Sequence, residues 1–287
     1  VIYWLRHVTA YSYAQPVDLA AHLLHLKPRA MPGQRVLSAK LLCSPAPDHH
    51  SESHDHYGNV AARLFLAEPH TRFRVTAESL VEVDFPAPPA ATPPWEEVAA
   101  AAHHPEAAEF AFPSPLIPLL PAAAAYAAPS FPAGRPILEA LLDLNARIRA
   151  DFAFQAGVTS ITTPVEEVLR LRRGVCQDFT QVMIAGLRGL GLPARYVSGY
   201  VRTRPPPGQE RRRGADQSHA WVQAWLGPGL GWAQLDPTNA LVVRDEHVVL
   251  AWGRDFSDIS PLRGVLLGGG AHTLSVSVDL EPEGVGQ

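Results

Sequence analysis

Cysteine, methionine and surplus positive charge are what this 287-residue chain has least of. With Cys43 and Cys176 as its two cysteines, a disulfide framework is excluded and a reducing compartment is the simpler expectation. Lys and Arg number 24 against 28 Asp and Glu, a formal charge of -4. Neutralising phosphates non-specifically takes a basic surplus, so nucleic acid is not expected as a partner. No apolar run approaches the ~18 residues needed to cross a bilayer. The opening Val1-Ile2-Tyr3-Trp4-Leu5-Arg6 lacks the charged, apolar and small-residue regions of a signal peptide. These absences point to a cytoplasmic chain without a membrane partner. The one dense basic run, Arg211-Arg212-Arg213 after Pro205-Pro206-Pro207-Gly208, reads as a solvated loop tip.

Apolar mass is plentiful. Hydrophobic residues make up 47% and charged residues 18%, which suits a packed core and argues against disorder. The length makes two domains the default. Residues 1–85 alternate as strands do, at Arg72 to Val83 and at Val36 to Cys43, with Asp55-His56-Tyr57-Gly58-Asn59 as a turn. An antiparallel, sandwich-like β-domain is predicted there. Residues 86–135 shift to Pro and Ala, yet Trp95, Phe110, Phe112, Leu116, Ile117 and Leu119 are scattered among them. That mixture suits an ordered connector with short helical pieces.

Residues 136–287 read as a core of helices on an antiparallel sheet, which makes the chain α+β. Ile137, Leu138, Leu141, Leu142 and Ile148 recur at helix spacing after Pro136. Thr163, Pro164 and Glu166 suggest the cap, first position and capping box of a short helix ending near Leu171. A longer helix starts near Cys176, carries the stripe Phe179, Val182, Met183, Leu187 and Leu190, and stops at Gly191 and Pro193. Strands follow over 195–201, 219–226 and 232–236. The short turn Gly227-Pro228-Gly229-Leu230-Gly231 joins the last two into a hairpin. A final strand is expected over 273–280.

Three residues stand where nucleophilic chemistry would need them. A thiol reacts as its thiolate; free cysteine titrates near ~8.5, and a helix N-terminus or an imidazolium favours the anion. Cys176 stands at a helix start, where unpaired N–H groups can also stabilise an oxyanion. His219, in Ser218-His219-Ala220-Trp221-Val222, heads a strand and supplies a base. Asp236 ends the partner strand, in Leu235-Asp236-Pro237-Thr238, and an antiparallel hairpin sets the start of one strand beside the end of the next. A carboxylate there would orient the imidazole and hold its proton. Each residue alone has a structural explanation; their ordered placement on helix start, strand start and strand end is what points to catalysis.

The stretches Gly174-Val175-Cys176-Gln177-Asp178-Phe179, Gly191-Leu192-Pro193-Ala194-Arg195-Tyr196-Val197-Ser198-Gly199-Tyr200, Ser218–Val222 and Gly231–Thr238 resemble the bacterial transglutaminase-like superfamily, with its papain-like Cys-His-Asp core. His7-Val8-Thr9-Ala10-Tyr11-Ser12-Tyr13, Leu26-Lys27-Pro28-Arg29 and Tyr57-Gly58-Asn59 look like the β-domain that precedes the core in one bacterial branch. Gly253-Arg254-Asp255-Phe256-Ser257-Asp258 and Pro261-Leu262-Arg263-Gly264 look like that branch's C-terminal segment. The resemblance implies cysteine attack on an amide or ester carbonyl of a peptide or protein substrate, through a thioester and without a cofactor. Hydrolysis of a peptide or isopeptide bond is the leading expectation. A transamidase using an amine acceptor, or a silent peptide-binding module, are the alternatives. A calcium-dependent transamidase is disfavoured, because no acidic loop has calcium-ligand spacing.

Secondary candidates surround the three. Gln177 is a possible oxyanion donor and Asp178 supports the first helical turn. Trp221, Arg254 and Asp255 are cleft candidates, with packing the rival role for Trp221 and a local salt bridge for the loop residues. Asp48-His49-His50 and His54-Asp55-His56 fit no strong zinc spacing, so no metal is expected. Cys43 reads as a small apolar residue in a strand.

Overall fold

The computed structural model describes residues 1–203 and 217–283. The Arg211–Arg213 run lies outside the described residues. The N-terminal domain is built around one long strand, β1 (Ile2–Leu24), with β2 (Gln34–Ser44), β3 (His49–His54), β4 (Val60–Leu66) and β5 (His70–Val83). Its sheet runs β2-β5-β1-β4-β3, all antiparallel. The alternating pattern read at 36–43 and 72–83 lies on β2 and β5. The first half of β1 pairs with β5, and the second half pairs with β4. The register on β5 slips between Ser12 and Val17, around Pro16, which has no N–H to offer a ladder. The sheet therefore curls around a core of its own, with Val17, Ala20 and Leu24 meeting Leu64, Leu66, Phe73 and Val75.

The connector carries two short helices, α1 (Trp95–Ala100) and α2 (Pro121–Ala127). The rest of the core holds α3 (Ile137–Asp151), β6 (Ala153–Phe154), α4 (Val165–Leu171), β7 (Arg173–Gly174) and α5 (Cys176–Gly189). Then come β8 (Ala194–Val201), β9 (Gln217–Trp225), β10 (Trp232–Asp236), β11 (Leu241–Val242), β12 (His247–Gly253) and α6 (Phe256–Ile259). The second sheet runs β11-β10-β9-β8-β12, antiparallel throughout, and α5 packs on β8 and β9. The α+β class stands. The hairpin also stands, with Trp232 opposite Trp225 and Leu235 opposite Val222. Gly191 takes φ +78, a left-handed conformation that suits glycine just beyond a helix end.

Two local expectations need correction. The short helix begins at Val165 with Pro164 as its cap, and there is no capping box. Thr163 instead uses its hydroxyl to accept the Ser160 N–H at 2.8 Å, which holds a turn before the helix. The last strand does not join the sheet that carries His219 and Asp236. Strands β13 (Leu262–Gly268) and β14 (His272–Pro282) both pair with β1, so the chain ends in the N-terminal sheet. The periodicity of a strand says that it pairs, and tertiary structure says with what.

One apolar core spans both sheets, joining Tyr3, Leu5, Val83 and Leu280 to Phe179, Ile184, Tyr196 and Trp221. Polar clamps fix the junction. The Gln34 amide donates to the Val249 carbonyl and accepts the Val249 N–H, both at 2.7 Å. The indole of Trp252 lies between two guanidiniums, Arg29 at 3.1 Å and Arg195 at 3.7 Å from its ring centroid.

Arg188, at the end of α5, ties the connector down. Its buried guanidinium donates to the carbonyls of Phe110, Ala194 and Arg254 and to the Ser114 hydroxyl. Burial pushes its pKa down to about 10, still high enough to keep the charge at neutral pH. Arg188→Met leaves those buried acceptors without a donor, so it is expected to cost on the order of 3 kcal/mol. Urea unfolding followed by tryptophan fluorescence measures this, and a midpoint equal to wild type would show that the clamp contributes nothing.

Candidate active site

Cys176 is the first residue of α5 and is half-buried. The helix closes its own start. Val175 is extended, and the Asp178 carboxylate accepts the Val175 N–H and the Thr159 hydroxyl, each at 2.7 Å. A Cβ on Gly174 would collide with that carboxylate, so glycine makes the reach-back possible. Burial raises the Asp178 pKa, and its two hydrogen bonds oppose the rise. With Val175 satisfied, the N–H groups of Cys176 and Gln177 follow at the mouth of the helix, where no carbonyl of the helix can reach them.

His219 lies near the head of β9, opposite Gly199 of β8. Its Nε2 is 2.8 Å from Asp236 Oδ2. The Cys176 thiol is its other polar neighbour, near enough to help raise its pKa. A carboxylate only accepts, so the His219 proton facing Asp236 is on Nε2, which leaves Nδ1 for the sulfur. Burial is the largest influence on this imidazole and opposes its charge. The hydrogen bonds and negative charges of Asp236 and Cys176 together outweigh it, and the pKa is pushed up to about 10. Asp236 is fully buried. Burial alone would raise its pKa, but the hydrogen bonds and charges of His219 and His247 hold the carboxyl well below the usual range.

Asp236 is braced on both oxygens. Oδ1 accepts the N–H groups of Thr238 at 2.9 Å and Asn239 at 3.2 Å. Oδ2 accepts the Asn239 side-chain amide at 2.7 Å, His219, and a second imidazole, His247 Nε2, at 3.1 Å. His247 begins β12, three strands away from β10 in sheet order. The approach depends on Gly199. Its absent side chain lets the Trp221 indole lie across β8, and the His247 ring rests edge-on against that indole at 5.1 Å. His219, Asp236 and His247 are the group of potential ligands, among the described residues, that converges closely enough to hold a metal ion. An ion there would have to displace the donors already on Asp236.

Other candidates take different places. The Gln177 side-chain amide donates to the Ile161 carbonyl at 3.1 Å, so in this conformation it is not turned to an oxyanion. Trp221 is fully buried, with its indole N–H on Gln234, and therefore packs beneath the histidines without lining an open cleft. Arg254 is paired with Asp258 at 2.9 Å. Asp255 is fully buried, caps α6 through Ser257 and accepts the Leu116 N–H. Both loop residues thus fasten the C-terminal segment and the connector. The histidines at 49–56 are dispersed: His49, His50 and His54 lie on exposed β3, and His56 pairs with Glu109. His247 and Asn239 were missed as site residues. Asn239 had a local signal, three residues after Asp236, whereas His247 had none.

Comparison with known proteins agrees with this architecture. Residues 3–82 match the bacterial transglutaminase-like N-terminal region, and residues 126–237 match the transglutaminase-like superfamily. An uncharacterised protein of Mycobacterium tuberculosis H37Rv is 41% identical over 98% of this chain and 92% of its own length. One of Mycobacterium leprae is 31% identical over 96% of each. A Pseudomonas aeruginosa protein-glutamine gamma-glutamyltransferase is 38% identical over 68 residues, 23% of this chain and 10% of that protein. The crystal structure of a Cytophaga hutchinsonii protein, whose name proposes a cysteine protease, superposes with a TM-score of 0.74 at 20% identity, covering 98% of this chain and 90% of that one. The chain belongs to the transglutaminase-like superfamily, with the bacterial transglutaminase-like N-terminal region in front of its core.

Proposed function

We propose that this protein is a cysteine-dependent hydrolase that cleaves peptide or isopeptide amide bonds through a thioester. The observation that carries the proposal is the arrangement of three groups: Cys176 at the first position of α5, His219 as its polar neighbour, and Asp236 hydrogen-bonded to His219 at 2.8 Å. Cys176 thiolate attacks the carbonyl carbon, and the N–H groups at the start of α5 stabilise the oxygen that gains charge. The His219 imidazolium gives its Nδ1 proton to the departing amine. Neutral His219 then takes a proton from water, which attacks the thioester and releases the acid and the thiolate. Asp236 holds the imidazole in one orientation and stabilises its cationic form.

A second reading, transfer of the acyl group to an amine, is favoured by the short stretch of similarity to the glutamyltransferase. Both share the thioester and part only at the acceptor. The test incubates the protein with glutamine-containing and isopeptide-linked peptides, with and without dansylcadaverine, and reads products by mass spectrometry. Cleavage to free acids in either condition supports hydrolysis. Amine incorporation that replaces the acid product supports transfer. Peptide binding without any product would leave the silent binding module.

A further inference from the structure

We infer that His247 is a positioning residue of the proposed catalytic site, holding the Asp236 carboxylate in register with His219 through the hydrogen bond from its Nε2–H to Asp236 Oδ2. The inference rests on the function proposed above and names a group that this function did not require.

Origin distinguishes His247 from the other donors on Asp236. Thr238 and Asn239 belong to the turn that leaves β10, so they travel with the carboxylate if that strand end shifts. His247 comes from β12, which is paired to β8, and β8 in turn carries the residues opposite His219. It therefore fixes Asp236 relative to the strand framework that holds the base. The bond lies in a dry place: His247 is 2% exposed and Asp236 0%. A carboxylate cannot donate, so the His247 proton must be on Nε2.

A space-filling role would not need an imidazole. Nδ1 of His247 is buried without a hydrogen-bond partner among the described residues. Such an orphan is unfavourable, and methionine or leucine at this place would avoid it. What the imidazole adds in return is a donor to Asp236. The edge contact to Trp221 at 5.1 Å holds the ring in the plane that this bond needs.

The test compares His247→Gln and His247→Met, side chains of similar length of which only the first carries a donor. The readout is the rate of iodoacetamide alkylation of Cys176, which needs no knowledge of the substrate, with His219→Ala beside them. The expectation is a rate lowered about 10-fold in the Met variant and within about 3-fold of wild type in the Gln variant, as a displaced orienting group predicts. Slow alkylation in His219→Ala with wild-type alkylation in His247→Met would overturn the role of His247 and leave the proposed function standing. Wild-type alkylation in His219→Ala would overturn both. Equal slowing by folded Gln and Met variants would make the residue structural and also end the inference. Should either variant fail to fold, nitrogen-15 NMR of the wild-type imidazoles decides: a proton on Nε2 of His247, in the neutral or the charged ring, supports the assignment, and a proton on Nδ1 alone overturns it.

Discussion

Cys176→Ala is expected to abolish turnover, a loss of about 10³-fold or more, and to remove iodoacetamide labelling at neutral pH altogether. Loss of the nucleophile leaves only binding and the oxyanion-stabilising groups, which sustain a small residue of catalysis in enzymes of this chemistry. The second cysteine makes the experiment clean. Cys43 is half-buried in β2, and burial pushes its thiol up to about 11, so it stays protonated and slow at pH 7. Wild-type protein should thus take up one label, on Cys176, and the variant none. Retained turnover in Cys176→Ala would sink the thioester mechanism.

Replacement of Asp236 by alanine is the second large effect, and it acts on stability and activity together. The fully buried carboxylate accepts two backbone N–H groups, an amide and two imidazoles, and its removal leaves all of them facing a void. A loss of about 3–5 kcal/mol is expected, with turnover lowered by about 10²-fold or more in whatever folds. Asp236→Asn keeps the shape, but one side of an amide cannot accept from the imidazoles, so it should recover stability before it recovers rate. A Cys176 alkylation rate and midpoint in Asp236→Ala equal to wild type would contradict both parts.

The same pair gives stability a defined pH course. His219 sits near 10 when folded, against ~6.5 in an unfolded chain. Its contribution is therefore complete below ~6.5 and is lost as pH rises through 10. Asp236 is held below the ordinary ~3.9, so its contribution is complete above that value and is lost on acidification. The two overlap fully between about pH 4 and 6.5. Melting temperature should fall from pH 6.5 to 10 in wild type, and this part of the slope should vanish in His219→Gln. Parallel slopes in the two proteins would mean that the imidazole is not held charged.

Legibility in the sequence followed the range of the signal. Cys176, His219 and Asp236 could be placed because helix starts and hairpins are written in neighbouring residues: the stripe after Cys176, the glycines at 227–231, the proline after Asp236. Asp178 was read as first-turn support for the same reason, since it acts three residues from its partner. Arg254 and Asp255 read as cleft residues in the sequence because a polar loop beyond the His219 and Asp236 strands carries no mark of what it touches. Their partners, Asp258 and Leu116, are a local ion pair and a connector N–H 139 residues away.

Local sequence is enough to specify the α+β class, the helix that presents the thiol, and the hairpin that brings an imidazole to a carboxylate. These follow from periodicity and turn chemistry, which depend on residues within a few positions of one another. Long-range packing sends the last two described strands back to β1, sets Arg188 to fasten the connector, and brings a second histidine to Asp236 from three strands away. Those contacts depend on how a curled sheet closes and on where Gly199 leaves room for an indole. Sheet closure sums over many distant pairings, so no local stretch of sequence contains it.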